Sequence, residues 1–136
     1  MIKKAFLDTS FVIALISVSD KNHQRAVKIS EEIKSNNTSL TTSMAVVFEI
    51  GNSLSKLQYR KQASTLLSAL ETDEQINVMP VNQNLFQKAL NLFVDREDKE
   101  WSLTDCVSFI IMKELKINYA LTNDKHFVQA GFDILL

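Results

Sequence analysis

Short apolar runs alternate with longer stretches of helical spacing along nearly the whole of this 136-residue chain. Residues 5–7 read as a short buried strand, residues 76–79, 119–121 and 134–136 as further short, largely apolar strands, and Leu40-Thr41-Thr42 as a candidate second strand in chain order. Between them the spacing predicts helices over residues 9–16, 23–34, 44–57, 61–70, 83–94, 104–116 and 125–129. Ala26, Val27, Ile29 and Ile33 carry the helical period in the second of these, and Ser43 is a good N-cap for the third. Parallel strands need crossover connections, and helices supply them, so the alternation selects a parallel sheet covered on both faces. The expected architecture is α/β: a three-layer α/β/α arrangement around a short parallel sheet of four to five strands. No internal repeat or linker interrupts the chain, and residues 1–136 are expected to form one domain.

Composition narrows the function. The formal net charge is −1, so the chain lacks the overall positive charge of a typical nucleic-acid-binding domain, and any such contact must be local or bridged by a cation. One cysteine, Cys106, excludes an intramolecular disulfide framework and a cysteine zinc site. The basic start at Lys3 and Lys4 precedes an apolar run, but Asp8, Thr9 and Ser10 interrupt it as a leader sequence would not permit. No stretch reaches the roughly 18 to 20 apolar residues of a membrane span. The reading is a cytoplasmic protein with no membrane association.

Four acids occupy costly positions. Asp8 and Asp124 follow candidate strands, Glu49 lies in the second turn of a helix among Val46, Val47, Phe48 and Ile50, and Asp105 opens the helix containing Cys106, Val107 and Phe109. In an open parallel sheet, ligands bind beyond the carboxyl ends of the strands. Asp8, Glu49 and Asp124 fall on that edge directly. Asp105 reaches it if residues 95–103 climb the sheet, and nine residues at ~3.3 Å each span about 30 Å, which is enough. Carboxylates gathered in a poorly solvated cleft must protonate or be neutralised, and a hard divalent ion does the second through oxygen ligands. Helix N-termini at two of the acids would also favour a bound anion. Gly51 is read as leaving room for close packing beside Glu49.

Each acid also has a purely structural reading. Asp8 and Asp124 suit N-caps, Asp105 could close a capping box with Ser102, and Glu49 could point to solvent. Independent roles of that kind do not place all four at one edge. His23 and His126 lack partners at zinc spacing and read as surface or capping residues. Cys106 sits on an apolar helix face, where burial would make the thiol inert. Lys56, Arg60 and Lys61 read as a solvated helix end, residues 95–100 as a hydrated loop, and Leu54, Leu57, Leu66, Leu67 and Leu70 mainly as core.

The blocks Leu7-Asp8-Thr9-Ser10, the Thr-Ser-rich approach to the Glu49 helix, Trp101-Ser102-Leu103-Thr104-Asp105 and Leu121-Thr122-Asn123-Asp124-Lys125-His126-Phe127 occur in the order found in the PIN-domain ribonucleases. The chain resembles in particular the VapC-type toxins of toxin–antitoxin pairs. The resemblance implies a Mg²⁺- or Mn²⁺-dependent endoribonuclease whose metal pocket is formed by Asp8, Glu49, Asp105 and Asp124, with Thr9, Ser10, Thr104 and Asn123 in support. It further implies an RNA substrate, a cognate antitoxin and a homodimer. Two other classes compete. A phosphatase with Asp8 as nucleophile would carry a second acid two positions on, where this chain has Ser10, and a PIN-like module could bind RNA or protein without catalysis.

Overall fold

A computed structural model describes residues 1–136. Five strands, β1 (Lys4–Leu7), β2 (Ser39–Ser43), β3 (Ile76–Met79), β4 (Tyr119–Leu121) and β5 (Asp133–Ile134), form one sheet in the order β3-β2-β1-β4-β5, and every pairing is parallel. Seven helices connect them: α1 (Thr9–Ile16), α2 (His23–Ser35), α3 (Met44–Ser53), α4 (Leu57–Thr72), α5 (Gln83–Asp95), α6 (Leu103–Glu114) and α7 (Lys125–Gln129). From β1 the chain steps outward through β2 to β3, then returns across the sheet to β4 and β5. Right-handed crossovers put α1–α4 on one face and α5–α7 on the other. Helix packing follows that division, with α1 against α2, α3 and α4, and α6 against α5 and α7. The exception is the contact between α3 and α6, which brings helices from the two faces together.

The central strands are buried because both faces are covered: Ala5, Phe6 and Leu7 of β1, and Ala120 and Leu121 of β4, are almost wholly inaccessible. Aromatic rings lock the helices on the α5–α7 side. Phe109 packs edge-on against Trp101 and Phe127, each at 5.0 Å between centroids, and Phe127 also meets Phe6. Asp105 stands one turn before Phe109 and His126 immediately before Phe127, so this cluster fixes the backbone from which both polar residues project. No helix is long and apolar enough to cross a membrane.

Several local expectations differ from the structure, among them the last strand, which is Asp133–Ile134 where the sequence suggests residues 134–136. The third helix ends at Ser53 and the next begins at Leu57, earlier than the spacing suggested; no glycine or proline marks the break, and Leu54 turns inward there while Leu57 is 89% exposed. Leu57 is therefore outside the core, unlike Leu54 and Leu70. Gly51 is not required for close packing, since a Cβ there would meet only Leu67 Cδ1, at an ordinary 3.8 Å. The charged loop is more than hydrated surface: Arg96 pairs with Asp98 and lies 4.8 Å over the Trp101 ring. Trp101 Nε1 in turn donates to Gln129 Oε1 at 3.0 Å, fastening the loop to α7.

Candidate active site

Strand order decides where a ligand can sit. β1 and β4 are neighbours from which the chain leaves toward opposite faces, and the crevice above such a switch point is open because no crossover covers it. Asp8 follows the last residue of β1, and Thr122, Asn123 and Asp124 follow the last of β4. Glu49 comes in from α3 and Asp105 from the first turn of α6. All four acids line one cavity of about 460 Å³, together with Thr9, Ser10, Ile13, Ser53, Glu100, Ser102 and His126. No lysine or arginine is among these residues.

Hydroxyls join the two strand ends in a directed chain. Thr122 Oγ1 lies 2.7 Å from Asp8 Oδ2 and donates its single proton to that carboxylate. Having spent the proton, Thr122 can only accept from Ser10 Oγ at 2.9 Å, and it also accepts the Asp124 amide at 3.0 Å. Ser10 Oγ accepts the Asn123 amide in turn. Every proton in the chain thus points toward Asp8. The Asp8 side chain makes no capping hydrogen bond to α1, although the residue occupies the N-cap position.

The other acids are held by one oxygen each. Thr9 Oγ1 donates to Glu49 Oε1. Asp105 closes a capping box with Ser102: its amide donates to Ser102 Oγ at 3.0 Å, and its Oδ2 accepts the Ser102 amide at 3.1 Å. Asp124 caps α7 by accepting the His126 amide at Oδ1, 2.9 Å away. His126 Nδ1 lies 2.9 Å from Asp105 Oδ2 and 3.5 Å from Asp124 Oδ1.

Burial pushes the Asp8 carboxyl from 3.8 up to about 6; the Thr122 hydrogen bond pulls it down, and the nearby charges of Asp105 and Glu49 push it up again. A group so perturbed, in a cleft shared with other acids, is a candidate functional residue on physical grounds. The donor set, carboxylate oxygens with no lysine or arginine among them, fits a hard divalent cation. Ligand atoms of Asp105, Asp124 and His126 all lie within 4.8 Å of one another, close enough to share an ion. Cys106 does no such chemistry: burial and the Asp105 charge raise its thiol to about 11.

Around the four acids the structure rearranges the supporting cast. Thr9 and Ser10 stand at the cavity. Thr104 lines an adjoining groove with Phe48, Glu49 and Asn52, and Asn123 contributes only its amide to the hydroxyl chain. Thr122, Ser102, Glu100 and His126 were not legible as site residues. A hydroxyl buried at a strand end signals Thr122 in hindsight, whereas the contact of the His126 ring with Asp105 spans 21 residues and leaves no local signal. His23 stays outside the site, with Nδ1 donating to the Ala14 carbonyl at 2.8 Å.

Comparison with known proteins places this geometry in a family. A profile of the PIN domain matches residues 5–133. The chain is similar to the 23S rRNA-specific endonuclease VapC20 of Mycobacterium tuberculosis, with 28% identity over 127 residues covering 93% of this chain and 94% of that protein. It is also similar to ribonuclease VapC1 of Aquifex aeolicus, with 22% identity covering 98% and 90%. Among solved structures, that of Mycobacterium tuberculosis VapC20, described as a sarcin-ricin loop cleaving toxin, superposes with a TM-score of 0.82 at 27% identity, covering 94% of this chain and 95% of the other. FitAcB from Neisseria gonorrhoeae shares the fold, with a TM-score of 0.68 at 16% identity, covering 97% and 96%.

Proposed function

The chain belongs to the PIN domain family, and on that premise we propose that it is a Mg²⁺- or Mn²⁺-dependent endoribonuclease acting as the toxin of a toxin–antitoxin pair. The observation that carries this reading is the convergence of Asp8, Glu49, Asp105 and Asp124 on one cavity without a neutralising lysine or arginine. Likeness to VapC-type ribonucleases over nearly the full length of both chains supports it. In this reading residues 1–136 act as a single PIN domain in the cytoplasm.

Asp8 and Asp105 would hold the cation, with Glu49 and Asp124 completing its shell directly or through water. When bound, the ion supplies a polarised phosphoryl oxygen and a water whose pKa is lowered for in-line attack. The residues of the chain prepare that site. Thr122 orients the Asp8 carboxylate through Oδ2, Thr9 steadies Glu49, and the capping box holds Asp105 against α6. Burial of Asp8 shields its carboxylate from bulk water and strengthens the charge interactions that it makes. With water as nucleophile in place of the ribose 2′-hydroxyl, the products carry a 5′-phosphate and a 3′-hydroxyl.

An RNA strand and a cognate antitoxin are the partners in this reading, with a homodimer as the working assembly. Met44 and Phe48 stand exposed one turn apart on α3, at 40% and 67%, and Phe48 lines the groove beside Glu49 and Thr104. An apolar pair at the rim of a charged cleft suits a protein partner that covers it.

The test is cleavage of total RNA, ribosomal RNA first, by protein freed of copurifying partners. Cuts that require Mg²⁺ or Mn²⁺, vanish in EDTA and vanish with Asp105→Asn support the proposal. Intact RNA in every lane, with cation binding shown separately, would move the reading to a module that binds without cleaving.

A further inference from the structure

His126 is attached to two of the four acids at once. Its backbone amide donates to Asp124 Oδ1 at 2.9 Å, and its ring Nδ1 lies 2.9 Å from Asp105 Oδ2. The oxygen at Asp105 is a carboxylate already accepting the Ser102 amide, so it can only accept again, and Nδ1 must be the donor. That assignment leaves Oδ2 of Asp105 occupied by two N–H groups. Oδ1 of the same carboxylate makes no hydrogen bond to the protein, and no buried side-chain oxygen goes without a partner, so Oδ1 faces solvent in the cavity.

We propose that His126 is a positioning residue for the cation site: its Nδ1–H pins Asp105 by Oδ2 and thereby presents Oδ1 as the ligand oxygen. This deepens the nuclease reading and rests on it. A ligand carboxylate free to rotate must be ordered by the ion itself, and outer partners of this kind carry about 10- to 100-fold in metal affinity. The ring can hold its place because the next residue, Phe127, is buried between Phe6 and Phe109.

The geometry separates this role from direct ligation. An asparagine amide nitrogen falls near the position of Nδ1, whereas a glutamine amide reaches toward that of Nε2. Mn²⁺ binding to the full-length protein is measured by electron paramagnetic resonance for the wild type, His126→Asn, His126→Gln and His126→Ala, each first checked for its melting temperature. The expected result is wild-type-like binding for His126→Asn and binding weaker by about 10- to 100-fold for His126→Gln and His126→Ala. Wild-type affinity in His126→Ala overturns the proposal, and rescue by glutamine in place of asparagine overturns it in favour of ligation through Nε2. A wild type that binds no Mn²⁺ overturns the cation site itself, an outcome distinct from any failure among the variants. As a readout independent of substitution, ¹⁵N shifts of the His126 ring at pH 8 should report the Nδ1–H tautomer, and the Nε2–H tautomer would count against it.

Discussion

Thr122 donates to Asp8 across the junction of β4 and β1, at 2.7 Å, and both residues are buried. The bond ties together the two strands between which the crossovers diverge, and it ends on the most perturbed carboxyl of the site. Thr122→Val keeps the shape and removes the hydroxyl. It leaves the buried Asp8 Oδ2 without that donor, which costs about 1–3 kcal/mol, and frees the part-buried Asp124 amide. The variant should be less stable in urea, its Asp8 carboxyl should titrate higher still, and its Mn²⁺ binding should weaken. Unchanged stability would show that water replaces the hydroxyl at no cost.

The raised carboxyl of Asp8 gives the cation-free protein a specific pH dependence. Between its ordinary value of 3.8 and its folded value of about 6, the folded state holds a proton that the unfolded chain has released. The stabilisation is fully present below about 3.8 and is lost as pH rises through about 6, a difference of roughly two units and on the order of 3 kcal/mol. Urea melts in EDTA should therefore show the wild type losing stability from pH 4.5 to pH 7. Asp8→Asn should remove that step, and an equally steep decline in the variant would assign the effect to other groups.

Asp105 combines a helix cap with an expected ligand, and two substitutions separate them. Asparagine can still accept the Ser102 amide and removes a charge that repels Asp8, so Asp105→Asn should melt no lower than the wild type while lowering cleavage by about a hundredfold or more. Asp105→Ala loses the reciprocal half of the capping box as well, and should be less stable by about 1 kcal/mol. Equal melting temperatures for the two would show that the cap contributes nothing to stability.

Glu49 adds negative charge beside Asp8, which favours the cation and disfavours the empty fold. Glu49→Gln should raise stability in EDTA at pH 7.5 and reduce the gain on adding Mn²⁺. A cation at a hundred times its Kd stabilises by about 2.7 kcal/mol, so the reduction is measurable as a smaller upward shift in melting temperature. A full shift in the variant would remove Glu49 from the ligand set.

Gly51 offers a control on the part of α3 that faces Leu67 of α4. It sits within α3, and an added Cβ meets only Leu67 at 3.8 Å, so Gly51→Ala should gain about 0.5–1 kcal/mol from helix propensity alone. A loss of stability in urea would mean that the α3–α4 contact is tighter than its geometry implies.

The capping and clustering readings of the acids turned out to be compatible, because a carboxylate has two oxygens. Asp105 and Asp124 each use one to cap a helix and still stand at the cavity. Asp8 occupies a cap position without using it. Local pattern alone could not choose between these cases, since a cap and a ligand ask for the same residue at the same place.

Local pattern did determine the alternation of strands and helices, the parallel class of the sheet, and the four acids that follow its strands or enter its helices. Those properties are written in the neighbourhood of each residue, as apolar runs, periodicity and helix-start residues. Only the tertiary structure decided that β1 pairs with β4, which opened the crevice, joined Thr122 to Asp8, and set His126 against Asp105. Strand order depends on which faces bury one another once the whole chain has collapsed. A contact between residues 114 positions apart, as between Asp8 and Thr122, leaves no trace in the spacing of either.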